Sequence, residues 1–201
     1  MKVHLSLLVP LLSLSLFACS DAPPQPPAIG LEAALRPAYP EHNPDGRRCQ
    51  VQPSGSRSYV IGRANGGGTV EDGKDSVKLS CTVRENGSFS IEVNANNMAP
   101  NLTGSFGMNL GGSIRSKTDG TQNTGQLGFR DSYAGLMGPS ATTPPCTFSP
   151  PSASEPIVQK AGAMVTSFVC PLIVSTDSPG DGCRAEGKIA VEYCKTGEED
   201  E

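Results

Sequence analysis

The chain contains no tryptophan, and only four tyrosines and six phenylalanines in 201 residues. Carbohydrate-binding β domains usually expose an aromatic platform, often of Trp, so that class loses its main support. Histidine is almost missing too. His4 lies in an N-terminal apolar segment and His42 beside Pro44, so a serine or cysteine nucleophile has no evident base to take its proton. Gly-x-Ser-x-Gly, Ser-x-x-Lys and His-Glu-x-x-His do not occur. The nearest approach, Gly104-Ser105-Phe106-Gly107, sits within a strand pattern. Positive charge is also short: without Lys2 the chain holds 15 basic and 20 acidic residues, a net charge of −5. A nucleic-acid backbone would be repelled, so nucleic acid is not an expected partner. No apolar run reaches the roughly 20 residues of a membrane-spanning helix.

What is present begins with an address. Lys2 precedes an apolar run from Leu5 to Phe17 that reads as the hydrophobic region of a signal peptide. The run ends in Leu16-Phe17-Ala18-Cys19, which resembles the lipobox of bacterial lipoproteins: Leu three before the Cys and a small residue directly before it. The resemblance implies removal of residues 1–18, a diacylglycerol on the Cys19 thiol and a further fatty acyl chain, such as palmitate, on the new amino group. Each buried methylene contributes about 0.8 kcal/mol, so two or three chains make a lasting anchor. Lipid is then the contact with the membrane. Ser20, not Asp, follows Cys19, which by the rule for Gram-negative lipoproteins implies an outer-membrane destination.

Residues 19–45 read as the lipidated Cys and a tether, with seven prolines biasing it to extended conformations. Within it Leu31, Ala34 and Leu35 stand at helical spacing, which suggests a brief helical turn. Residues 196–201 end in Glu198-Glu199-Asp200-Glu201 and read as a solvated acidic tail. Between them, residues 46–195 suffice for one domain.

Beyond Cys19 there are six cysteines: Cys49, Cys81, Cys146, Cys170, Cys183 and Cys194. An even number in an exported chain points to three disulfides. Their spacings include no Cys-x-x-Cys, so a structural metal is not expected. Spacing leaves the 15 pairings open; Cys81 with Cys170 is the expected one, because both stand on core-facing strand positions.

Strand patterning is clearest from Ser76 to Asn94. Val77, Leu79, Cys81 and Val83 alternate with polar residues, as do Phe89, Ile91 and Val93 after Glu85-Asn86-Gly87. A two-residue Asn-Gly loop would set Val83 opposite Ser90 and mix both faces. A three-residue loop with Gly87 in the left-handed position instead pairs Val83 with Phe89, Cys81 with Ile91 and Leu79 with Val93. Further strands are expected at 58–62, around Phe106 to Leu110, at 126–130, at 164–174 and at 187–194, the last with Ile189, Val191 and Tyr193 on one side. The six prolines of 138–156 predict a long loop pinned at Cys146. The expected fold is all-β: an antiparallel sandwich of two packed sheets, or a partly open barrel, braced by three disulfides. Phe89, Phe106, Phe129 and Phe168 fall on the apolar phase, whereas Tyr59, Tyr133 and Phe148 are expected at the surface.

Acidic residues cluster at Glu71, Asp72 and Asp75, around Gly73, where a polar hairpin tip explains them better than a glycosidase pair or a calcium loop. Asp119-Gly120 with Asn123 reads as a turn. No catalytic, metal or cofactor set emerges. The expectation is a lipid-anchored envelope protein, non-enzymatic, serving as an interaction or structural module with an envelope protein as its partner. A second reading is a secreted-type inhibitor or small-ligand binder presenting Ala141 to Pro145; a third is a His-independent hydrolase using the acidic cluster.

Overall fold

A computed structural model describes residues 24–51, 56–64, 68–96, 104–120, 122–132 and 135–197. Cys19 and its lipobox, Tyr133 and the acidic run 198–201 lie outside them. Twelve strands follow in order: β1 (Ala28–Pro37), β2 (Arg57–Ile61), β3 (Val70–Glu71), β4 (Val77–Val83), β5 (Ser88–Asn96), β6 (Ser105–Ser113), β7 (Thr124–Asp131), β8 (Leu136–Pro139), β9 (Cys146–Ser149), β10 (Val158–Lys160), β11 (Ala163–Val174) and β12 (Gly182–Glu192). Among the described residues the one helical element is a 3-10 turn at Pro40–His42.

All strands belong to one antiparallel sheet that curls into a half-barrel, in the order β2-β1-β12-β11-β9-β7-β6-β5-β4. Of the two expected forms, two packed sheets and a partly open barrel, the fold takes the second: one sheet whose two wings face each other. Tyr59 on β2 stacks on Phe106 of β6 with ring centroids 4.8 Å apart and meets Phe129 of β7 edge-on at 5.3 Å, although several strands separate them along the sheet. A single core fills the space between the wings.

The β4–β5 hairpin has the register that the alternation demands: Leu79 opposite Val93, Cys81 opposite Ile91 and Val83 opposite Phe89. Gly87 takes φ +90°, its N–H donates to Arg84 O, and a Cβ there would lie 2.2 Å from Ile114 O, so the turn admits only glycine. β4 ends the sheet, yet its outer edge is covered. Leu79 N–H donates to Asp72 Oδ1 at 2.7 Å, Val83 N–H to Lys195 O at 2.9 Å, Lys195 N–H to Cys81 O at 3.0 Å, and Gly162 N–H to Val83 O at 2.9 Å. Bonding groups that would otherwise recruit another chain are occupied along most of the strand.

Several expectations are corrected. Residues 28–37 are not tether but β1, which lies between β12 and β2 with Leu31 and Leu35 fully buried. The helical spacing of Leu31, Ala34 and Leu35 is incidental, since Ile29, Leu31, Ala33 and Leu35 face the core at a period of two. In the proline-rich stretch, the four residues between Pro145 and Pro150 keep their N–H groups, and as β9 they pair with both β7 and β11. Phe148 (1 % exposed) is consequently a core residue, and Tyr59 (0 %) is one through the inward phase of β2. The disulfides are Cys49–Cys183, Cys81–Cys194 and Cys146–Cys170. The expected Cys81–Cys170 pair does not form: Cys170 on β11 meets Cys146 at the start of the adjacent β9, and Cys81 meets Cys194, which the chain after β12 brings to the outer edge of β4. Finally, Tyr193 leaves the inward phase of Ile189 and Val191: at φ +57° it turns the chain outward, exposing its ring, and delivers Cys194 to Cys81.

Candidate functional site

The most concentrated polar chemistry in the described interior joins Arg57, Tyr59 and Asp131. The Tyr59 hydroxyl donates to Asp131 Oδ2 at 2.5 Å, and Arg57 Nε reaches the same oxygen at 2.7 Å. Each stands on the inward phase of its strand: Arg57 and Tyr59 with Ile61 on β2, Asp131 after Leu127 and Phe129 on β7. Asp131 is 1 % exposed, and the Arg57 guanidinium lies 5.7 Å from the Tyr59 ring centre. Burial, reinforced by the Asp131 carboxylate that accepts its hydrogen bond, pushes the Tyr59 phenol far above the ordinary tyrosine range. The phenol is held as a proton donor in a buried set that ties the two wings of the sheet together. Its chemistry is that of a brace. The sequence carried a signal for it, a carboxylate on the apolar phase of a strand, that periodicity alone does not interpret.

Two other buried side chains organise loops. Asn123 Oδ1 accepts from Arg115 N at 2.6 Å and Ser116 N at 2.8 Å, while its amide donates to Ser116 O at 2.6 Å. Gln159 Nε2 donates to Arg84 O at 2.6 Å and Lys117 Nζ to Gln159 O at 2.6 Å, fastening β10 to the β4–β5 turn.

The acidic cluster lies in the turn that joins β3 to β4, two strands that do not pair with each other. Glu71 pairs with Lys74 at 2.6 Å, and Asp72 accepts from Leu79 N–H. Among the described residues no group of three His, Cys, Asp or Glu is placed to hold a metal ion. His42 belongs to the 3-10 turn, away from any nucleophile named above. The six cysteines come together as pairs, so none of them supplies a thiol.

Two surface features remain. On the outer side of β6 and β7, glycines 111, 112, 125 and 128 leave a shallow groove of about 470 Å³ edged by Asn109 and Gln126. The inner side of the same place is filled: a Cβ on Gly112 or Gly125 would lie 2.8 or 2.9 Å from the Phe148 ring. A second recess of about 470 Å³ lies where β10, β11 and β12 reach the end of the sheet at which β1 begins; Val158, Lys160, Val165, Glu192 and Tyr193 line it. Its walls mix apolar side chains with polar ones, and its rim carries one charge of each sign. No known protein family, curated protein or solved structure matches this chain.

Proposed function

We propose that the chain is an exported lipoprotein anchored through Cys19, with an outer-membrane destination, and that its β domain is a non-enzymatic interaction or structural module of the cell envelope. The observation that carries this reading is the cysteine count. Six of seven cysteines pair with one another inside the domain, and the one left over, Cys19, ends the apolar N-terminal run. Disulfides belong to an oxidising compartment, which agrees with export. That the buried Arg57, Tyr59 and Asp131 engage one another across the two wings supports a scaffolding role for the interior rather than a reactive one.

Starting the domain at β1 shortens the leash. Pro27 O accepts Asp72 N–H at 2.8 Å, so the chain is fixed from Pro27 onward. The eight residue steps from Cys19 to Pro27, at no more than about 3.6 Å each, reach at most about 29 Å. The domain therefore stays beside the membrane.

The mass of the processed chain purified from membranes tests the anchor. Acyl chains on residue 19 are expected, and Cys19→Ala should move the protein out of the membrane fraction. A processed chain with an unmodified Cys19 overturns the reading. The inhibitor or small-ligand alternative keeps only residues 141–145 as a presented loop, since Cys146 and Phe148 are buried in the sheet; replacing Ala141 to Pro145 by Gly and Ser should abolish binding if that alternative holds.

A further inference from the structure

Lipid anchoring on a short leash makes the orientation of the domain a physical question. We infer that the end of the half-barrel at which β1 begins rests on the phospholipid surface, through Tyr193, Val158 and Lys160; the inference rests on the proposed anchor at Cys19. Three observations carry it.

The first is length. A globular chain of this size is about 40 Å across, whereas the leash reaches at most about 29 Å. The far end, where β1 finishes at Pro37 against Cys183, is out of reach of the bilayer. The near end carries the row Ala28, Glu192, Ala163 and Lys160, each opposite or adjacent to the next across β1, β12, β11 and β10.

The second is the chemistry of that end. Of the five large apolar side chains exposed among the described residues, Tyr193 (53 %) and Val158 (45 %) line one recess there, with the half-buried Val165 opposite Val158. Tyr39, Val60 and Met137 stand elsewhere: Tyr39 lies beneath the Arg184 guanidinium, Val60 pairs with Glu32 on β1, and Met137 lies opposite Arg130. A tyrosine ring with a polar tip suits the headgroup layer, and a lysine beside it extends its ammonium to phosphate while its stem covers apolar surface.

The third is how Tyr193 is displayed. Its left-handed backbone, which a bulky side chain seldom adopts, lies between two fixed points, the end of β12 and the Cys81–Cys194 disulfide. The ring is thereby held outward on a rigid element. Glu71 pairs with Lys74, Asp72 takes the Leu79 N–H and Glu192 shares the rim with Lys160, while Asp75 and the acidic run that follows Thr196 in sequence leave this end net acidic. A surface of this balance favours bilayers that are mostly zwitterionic.

A photoactivatable phospholipid tests the inference. The lipidated protein is placed in vesicles of phosphatidylethanolamine with a minor share of phosphatidylglycerol, irradiated, and its adducts mapped by mass spectrometry. Adducts are expected in residues 158–165 and 191–196, exceeding those at Tyr39, Val60 and Met137 by about tenfold, given the shallow depth of interfacial contact. Val158→Ser combined with Tyr193→Asn, a residue that tolerates the left-handed backbone, should remove the excess while the protein remains on the vesicles. Adducts at the three comparison residues equal to those at the recess, or none at the recess, overturn the inference. The mass at residue 19 reports separately on the anchor. Should Cys19 prove unacylated, the same mapping is done on secreted chain coupled through Cys19 to a maleimide phospholipid, where labelling of the recess sustains the surface and its absence rejects it.

Discussion

Asp131 Oδ2 receives the Tyr59 hydroxyl at 2.5 Å and Arg57 Nε at 2.7 Å, so a single buried oxygen on β7 holds two side chains of β2. Removing one member opens that buried set. Tyr59→Phe should cost about 1–3 kcal/mol, the loss of a buried hydrogen bond. Asp131→Ala should cost about 3–5 kcal/mol, because it takes the carboxylate out of a buried ion pair. Urea unfolding of both variants measures the difference; an Asp131→Ala domain as stable as the parent would show that the brace contributes nothing.

The raised pKa of Tyr59 sets an alkaline limit. Folding favours the neutral phenol, so this contribution to stability is whole below about pH 10, the ordinary tyrosine value, and declines as pH rises above it toward the folded pKa. An absorbance titration should find one of the four tyrosines protonated until the domain unfolds. Tyr59→Phe should remove that late step and flatten the alkaline fall in stability.

Breaking the seam disulfide should act locally. Cys81–Cys194 closes 113 residues of sequence and Cys146–Cys170 only 24, so loop entropy assigns them about 5 and about 3 kcal/mol. Cys81→Ala with Cys194→Ala should also loosen the contacts of Lys195 with β4, raising amide exchange at Val83 and Lys195 above that in the strands β6 and β7. Uniform exchange across the sheet would argue against a seam.

β1 should be indispensable. Leu31, fully buried between Ile61 and Ile189 in register, should cost about 2–5 kcal/mol on truncation to Ala. A chain beginning at residue 46 should fail to fold, whereas one beginning at residue 24 should melt cooperatively by circular dichroism. Were residues 28–37 tether, both chains would melt alike.

Gly125 should resist any side chain. Its Cβ would lie 2.1 Å from Gly111 O, 2.8 Å from Gly112 Cα and 2.9 Å from the Phe148 ring. Gly125→Ala should destabilise by about 1–3 kcal/mol, and Phe148→Leu in the same chain should recover part of the loss, a coupling that a double-mutant cycle reads.

The β4–β5 register was legible in the residues themselves, because alternation sets the face and a three-residue turn ending in glycine sets the offset. So were the all-β class and the even count of bridging cysteines. Pairing partners were not legible: which cysteine meets which depends on strand order, and strand order is decided by contacts between residues far apart in the chain. The same holds for the proline-flanked residues 146–149 and for residues 28–37, whose local chemistry reads as loop or tether. Each becomes a strand because the sheet offers it neighbours on both sides. Tyr59, Asp131 and Arg57 follow that rule as well, since a charge on an inward phase has meaning only once the opposite wing supplies its partner. Local periodicity thus determined faces and turns in this protein, and only the curled sheet decided who faces whom, for burial and hydrogen bonding are satisfied across space rather than along the chain.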